Sequence, residues 1–567
     1  MSLFEDILSA RGLTGRKRNA FLNPSYDDKH DPFLLPDMGK AVDRLVEARK
    51  NNERITVYGD YDIDGLTATT VLLDSLEKFG FKEVSTFIPN RFVEGYGLTV
   101  DAVERIANPS VGSGANIIIT VDCGSLSEKE ITRANELGVD VIVTDHHNVA
   151  SIQPPAIAVI NPKRLLADYP DEYEDFLLKE SSTMKGKIYP FVDLAGVGVA
   201  FKLVQALQTK LEGLPEGQEK WLLDLVALGT VCDVVTLRDE NRSNVFWGLK
   251  VLAQTKRPGL RALMSVSNVE IDKINARSLG FGLGPRMNAA GRLETAQHAL
   301  DMLITNDSLD ALNLAQRLDV LNASRRTEQD KILREAIIQA DKYKNDNVLV
   351  VSGENWNHGI VGIVAAKLLE KFGKPTFVLE EMDVEAKGSA RSYGDFSAAD
   401  AIKFAGDIVT KGGGHKLAAG VTLPVVNIVA FRKRVNEFYR EQKLFNQQAL
   451  LLPRADTFAV FSDVSEDLVL QLASLEPFGN GNPQPVLKTE NVMVKNVRKM
   501  GAEFQHIKIE VQDATGLRLQ MLAFNAPTHF FVEPGERVTV WYHPDINEWQ
   551  GRRIIEGRLL HMEIIDT

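Results

Sequence analysis

The amino-acid order predicts an α/β protein of several domains. A doubly wound parallel-sheet domain comes first, then a long connecting helix, a second α/β domain and a small C-terminal barrel of the oligonucleotide-binding (OB) type. Three observations carry this reading. β-branched runs recur through the first third with helix-like stretches between them, a stretch without Gly or Pro follows, and short strand patterns fill the C-terminal region. At 567 residues the chain is too long for one core, and roughly two to four domains are expected.

The first runs are ITVY (Ile55–Tyr58), VSTFI (Val84–Ile88), NIIITV (Asn116–Val121), DVIVT (Asp140–Thr144) and AIAVI (Ala156–Ile160). Continuous apolar strands separated by helices such as LTATTVLLDSLEKF belong to a parallel sheet covered on both faces. The acid-rich segment Leu165–Lys187 is expected to be a surface excursion. Between Arg292 and Ser352 there is neither Gly nor Pro, and Ala311, Leu314, Leu318 and Leu321 keep helical spacing. Strand and helix patterns alternate again from NVLVVSGENW to about Lys443, where FRKRVNEFYREQK reads as a solvated helix face. NQQALLLPRADT is expected to be a linker. Beyond it NVMVKNVRKM, FQHIKIEVQD, LRLQMLAF, ERVTVWYH and RRIIEGRLLHMEII are strand patterns of a small barrel. The expected domains are residues 1–300, a connecting helix over 301–345, 346–450 and 451–567.

Composition excludes several classes. No apolar run approaches the roughly 18 residues of a membrane span, and the first residues lack a signal-peptide pattern. The two cysteines, Cys123 and Cys232, imply no disulfide framework, so a cytoplasmic location is expected. A net charge of −12 argues against a nucleic-acid coat protein but leaves room for a local basic groove.

The sharpest signal is where the acids fall. ITVY runs into Asp60, Asp62 and Asp64; NIIITV into Asp122; DVIVT into Asp145, His146 and His147. In open α/β sheets ligands bind outside the carboxyl ends of the strands, so these groups share one edge. So many carboxylates cannot all stay ionised without compensating cations. A single strand-end Asp commonly caps a helix, but that reading does not account for the whole set with its adjacent histidines. Oxygen and imidazole donors suit magnesium or manganese, and the cysteines are not spaced as zinc ligands.

These segments resemble the DHH phosphoesterase superfamily and, within it, the RecJ branch. DYDIDG, VDCGS and TDHHN are similar to its first three motifs, LVALGTVCDVV (Leu225–Val235) to its fourth, and LGPRMNAAGR (Leu283–Arg292) to one particular to RecJ. GSARS (Gly388–Ser392) and GGGHKLAAG (Gly412–Gly420) resemble the DHH-associated second domain, and LEPFGNGNPQPVL (Leu475–Leu487) the lead into the RecJ OB fold. The resemblance implies two divalent cations, manganese or magnesium, held by Asp62, Asp64, Asp122, His146 and Asp233, with Asp122 bridging. Asp60, Asp145 and His147 would stand at the edge of the site, His147 facing the scissile phosphate. The pattern departs at Tyr58, where many members have His, and at Cys232 and Thr236.

For the substrate, Arg286, Asn288 and Arg292 in LGPRMNAAGR, and Ser389 with Arg391 in GSARS, are candidate phosphate contacts. Gly413 and Gly414 would admit backbone N–H groups to a phosphate, with His415 as a further donor. Arg91 and Tyr96 in NRFVEGYG are placed by the resemblance near the entry of the substrate channel, where Tyr96 stacks on a base or packs on its own loop. The GxG at Gly282 and Gly284 lacks the third glycine of a dinucleotide fingerprint. The resemblance implies 5′–3′ exonuclease action on single-stranded DNA, mononucleotide products and a repair or recombination role; a monomer is expected, with a single-strand-binding protein and a helicase as expected partners. Two alternatives compete: a DHH enzyme of small phosphoesters, and a non-catalytic replication factor. The β module and LGPRMNAAGR oppose the first, and the complete set of acids opposes the second.

Overall fold

The computed structural model describes residues 2–171, 186–444, 447–502, 504–549 and 551–565. Most of the expected acid-rich excursion therefore lies outside the described residues, although its first residues form the short helix Arg164–Asp168. The chain divides into two compact units, residues 1–288 with 296–316 and 453–567, and residues 289–295 with 317–452.

In the first unit, strands β1 (Ile55–Gly59), β2 (Val84–Phe87), β3 (Ile117–Val121), β4 (Asp140–Thr144) and β5 (Ala158–Ile160) form one parallel sheet in the order β2-β1-β3-β4-β5. Every residue of β1, β3 and β5 is buried, which explains why these runs show no period-2 alternation. The helix Ile63–Lys78 follows β1 directly and buries Leu66, Val71, Leu72 and Leu76.

The C-terminal strands β11 (Thr457–Phe458), β12 (Leu487–Met500), β13 (His506–Gln512), β14 (Arg518–Ala523), β15 (Arg537–Trp549) and β16 (Arg552–Ile564) run in the order β11-β12-β13-β14-β16-β15. A further β12–β15 pairing closes them into a barrel. The barrel does not fill its core alone. Phe4, Ile7 and Leu8 of the first helix, Leu3–Ala10, pack into the same buried cluster as Leu487, Ile509 and Tyr542. Arg11 clamps this arrangement by donating to both carboxylate oxygens of Asp456, at 2.7 and 3.0 Å.

The expected connecting helix is real but begins later. Gln297–Ile304 is a separate helix, and the 35-residue helix runs over Ser308–Lys342. Asp307 makes the break, because its Oδ1 accepts from the backbone N–H groups of Leu309 and Asp310 and caps the new helix. In the second unit, β6 (Leu349–Glu354), β7 (Thr376–Glu381), β8 (Glu385–Arg391), β9 (Lys411–Gly414) and β10 (Ala418–Pro424) form a mixed sheet in the order β6-β7-β8-β10-β9. The basic-aromatic run lies in the helix Ile428–Glu441, which buries Phe431, Val435 and Phe438, exposes Lys433, Arg434 and Arg440, and pairs Arg432 with Asp346.

Candidate metal centre

Strands β1, β3 and β4 are adjacent in the sheet, so their carboxyl ends meet. Asp62 caps the helix Ile63–Lys78, its Oδ1 accepting from the N–H groups of Asp64 and Gly65 at 2.9 and 3.2 Å. The Asp64 carboxylate lies in the first turn of that helix and points away from it. Its Oδ2 accepts from Gly196 N at 2.6 Å and its Oδ1 from Val197 N at 2.8 Å, both at the start of the helix Gly196–Gln208. Gly196 is obligatory for space: a Cβ there would lie 2.8 Å from Asp122 Cβ and Oδ1. Asp122 itself adopts φ 62°, a left-handed conformation that turns its carboxylate back over the strand ends. Asp233 follows the helix Leu223–Cys232 and brings the last carboxylate to the group.

Three sets of side chains hold their ligand atoms within 4.8 Å of one another: Asp60, Asp62 and Asp122; Asp64, His146 and Asp233; Asp122, His146 and His147. Asp60, expected at the edge, thus joins Asp62 and Asp122. His146 Nε2 is 3.0 Å from Asp122 Oδ1, 3.6 Å from Asp233 Oδ2 and 3.8 Å from Asp64 Oδ2. Among the described residues, neither His146 Nε2 nor Asp122 Oδ1 makes a hydrogen bond, although both are buried; Asp60 Oδ1 is in the same state.

The electrostatics follow from this crowding. Burial, then the neighbouring acids, pushes Asp122 and Asp60 well above the carboxylate range, Asp64 up to about 7 and Asp233 up to about 9. Burial, then the charge of His147, pulls His146 down to about 3, so its imidazole is neutral and its lone pair is available. Carboxyls that burial and mutual repulsion would otherwise keep protonated, facing a neutral imidazole, are what a divalent cation satisfies. The donor set fits manganese or magnesium.

Asp145 serves differently. Its Oδ1 accepts from the backbone N–H groups of His146 and His147 and lies 2.9 Å from His147 Nδ1, while its Oδ2 accepts from Ser125 N. Burial alone would raise its pKa, but the His147 hydrogen bond and the histidine charges hold it below the usual range. In return Asp145, then Asp64 and Asp62, raise His147 against the opposing effect of burial. Asn161, at the end of β5, donates to Ser125 Oγ and to the His147 carbonyl, both at 2.9 Å.

Tyr96 neither lies within its own loop nor stands free. Its hydroxyl is 3.2 Å from His147 Nδ1, and its ring meets that of Tyr61 edge-on. The Arg91 guanidinium sits 4.2 Å over the Tyr61 ring. Tyr58 takes no part: its hydroxyl donates to the Gly97 carbonyl and its ring stacks on Phe87. Arg286 donates to the Gly282 carbonyl, and Asn288 is half-buried on the same helix, Gly284–Leu293.

In the second unit Arg292 donates to the Gly359 carbonyl at 2.7 Å. Ser389 and Arg391 converge: a Cβ on Gly362, in the first turns of the helix His358–Phe372, would lie 3.3 Å from both Ser389 Oγ and Arg391 Nη2. GGGHKLAAG is a β-hairpin rather than an open loop. Gly413 and Gly414 lie in the exposed edge strand β9, and His415 N donates across the turn to the Ala418 carbonyl. The residues that sequence reasoning missed are Tyr61, Ser125, Asn161, Gly196 and Val197. Tyr61 and Ser125 lie inside the strand-end motifs DYDIDG and VDCGS, and Asn161 is a polar strand end like the others, whereas Gly196 and Val197 carried no local signal.

The DHH family N-terminal domain matches residues 54–230, the DHHA1 domain 345–441 and the RecJ OB domain 455–561. Fold and acidic site together thus define a DHH protein with an associated second domain and a terminal OB module. The chain belongs to the RecJ family within that class. It is 37% identical to the single-stranded-DNA-specific exonuclease RecJ of Bacillus subtilis over 97% of this chain and 66% of that protein. The Dickeya dadantii protein of the same description is 34% identical over 94% and 91%. A crystal structure of RecJ in complex with Mn2+ from Thermus thermophilus aligns over 100% of this chain and 76% of that one, with a TM-score of 0.80 and 28% identity.

Proposed function

We propose that this chain is a single-stranded-DNA-specific 5′–3′ exonuclease that hydrolyses phosphodiester bonds and releases 5′-mononucleotides in repair and recombination. The observation that carries the reading is the buried Asp122 Oδ1 facing His146 Nε2 at 3.0 Å in the acidic cluster, neither atom hydrogen-bonded among the described residues. The relatives' description as single-stranded-DNA-specific exonucleases supports it, as do RecJ structures with Mn2+ and Mg2+.

Asp60, Asp62 and Asp122 would hold one divalent cation and Asp64, His146 and Asp233 the other, with Asp122 Oδ1 3.0 Å from His146 Nε2. The cations, when bound, lower the pKa of water and neutralise charge on the attacking and leaving oxygens. His147, whose pKa the neighbouring Asp145 raises against the effect of burial, would donate to a scissile phosphate oxygen, with Tyr96 orienting its ring. Arg91, Arg286, Asn288 and Arg292 contact the strand, with Gly413, Gly414 and His415 as backbone and imidazole donors. Ser389 and Arg391 take the terminal phosphate. In this division residues 1–300 carry the chemistry, the helix over 301–345 connects, 346–450 recognise the end and 451–567 grip the strand.

Among the described residues no helix is long and apolar enough to cross a membrane. We place the activity in the cytoplasm, in a monomer. A helicase would supply single strands and a single-strand-binding protein would coat them, because the substrate must first be unpaired.

The test is digestion of end-labelled DNA and RNA strands with manganese or magnesium. A 5′ label should leave at once as a mononucleotide, and RNA should resist. Release of a 3′ label first, or preference for a small phosphoester over long strands, would overturn the reading.

A further inference from the structure

The turn that follows Asp233 is braced by the C-terminal module. Val234, β-branched and largely exposed, stands at φ 60°, a conformation such a residue keeps only when its neighbours impose it. The imposing contacts come from 475–482, the segment leading into the barrel, which ends in Gly-Asn-Gly-Asn. Asn480 Nδ2 donates to the Val234 carbonyl at 2.9 Å, Leu237 N donates to the Asn480 carbonyl at 2.7 Å, and Arg238 Nε donates to the Gly481 carbonyl at 3.2 Å. Gly481, at φ 74°, leaves no room for a side chain, since a Cβ would lie 2.1 Å from Thr236 Oγ1. Behind this contact the buried Arg242 donates to the carbonyls of Leu475 and Glu476.

We propose that Asn480, with Gly481, is a positioning residue of the metal centre. By holding the turn after Asp233, the C-terminal module sets the cation affinity of the catalytic domain as well as contacting the strand. The inference rests on the reading of Asp233 as a ligand. A module used only for strand grip would need no side-chain bond to the Val234 carbonyl and no glycine moulded against Thr236. Residues that orient a metal ligand typically change metal affinity by about 10- to 100-fold.

The test uses the full chain with Asn480→Ala, which removes one exposed donor, and Gly481→Ala, which forces the segment off the turn. Asp233→Ala is the reference, and circular dichroism checks the fold. Mn2+ binding is measured by calorimetry without substrate, and hydrolysis on a trinucleotide and on a long strand at low and high Mn2+. Both variants should bind Mn2+ about tenfold or more weakly. They should lose activity on both substrates at low Mn2+ and recover it when Mn2+ is raised. Parent-like Mn2+ binding in both, with binding lost in Asp233→Ala, would overturn the proposal, as would a loss confined to the long strand. Parent-like binding in Asp233→Ala would instead remove the ligand assignment on which it rests.

Discussion

Arg391→Met should separate end recognition from hydrolysis. The guanidinium ends strand β8, and its Nη2 lies with Ser389 Oγ against Gly362 of the helix His358–Phe372. Nη1 donates to the Ala390 carbonyl at 2.8 Å. Burial lowers the pKa of the group, and among the described residues no acid is paired with it. A terminal phosphate would supply the missing charge. A hydrogen bond to a charged group contributes about 1.5–3 kcal/mol, which converts to roughly ten- to 150-fold. Methionine keeps the apolar stem and loses the charge. The assay compares initial rates on two otherwise identical strands, one with a 5′-phosphate and one with a 5′-hydroxyl. The phosphorylated strand should slow by that factor and the hydroxyl strand by only a few-fold, while Mn2+ affinity and Tm hold. Equal slowing of both strands would make Arg391 a general backbone contact. A fall in Tm would mean that it serves packing.

Asp122→Ala should abolish hydrolysis yet leave the Tm of metal-free protein unchanged or higher, because it removes a buried carboxyl repelled by four others. In the parent, Mn2+ at about a hundred times its Kd should add about 2.7 kcal/mol of stability, and in the variant much less; scanning fluorimetry reads both. Gly196→Ala drives a methyl group against Asp122 and should cost about 1–3 kcal/mol along with Mn2+ affinity, so a parent-like variant would show the helix start to be movable. His30 has a separate pH signature. Burial lowers its pKa, but Asp239 at 2.7 Å outweighs this and raises it above the ordinary 6.5. Its stabilising effect is therefore complete below pH 6.5 and is lost as pH rises through the folded value. The Tm difference between parent and His30→Asn should shrink across that range, and a flat difference would exclude the pairing.

Much of the centre was legible because it is written locally. Apolar runs that end in acid mark strand ends in any parallel sheet, and Asp60, Asp62, Asp64, Asp122, Asp145 and His146 all lie within a few residues of such an end. The long helix was legible from the absence of Gly and Pro, but its start was not, because a single capping Asp307 decided it. The glycine run GGGHKLAAG reads as a phosphate contact, with a glycine turn between two elements as the alternative, and its pairing as a hairpin is visible only in the structure.

By itself, then, the order of residues determined the parallel sheet, the acids at its edge, the terminal barrel and the family. The tertiary structure alone decided what surrounds each acid. Asp64 is oriented by amides at Gly196 and Val197, Asp145 by Ser125, and the turn after Asp233 by Asn480. It also decided that the first helix completes the C-terminal core. Removing the chain beyond Leu452 would therefore uncover Phe4, Ile7 and Leu8 and disturb folding along with strand grip. The physical reason is separation along the chain. Periodicity and strand ends express interactions between near neighbours, whereas a backbone amide meeting a carboxylate 132 residues away leaves no periodic trace in either segment.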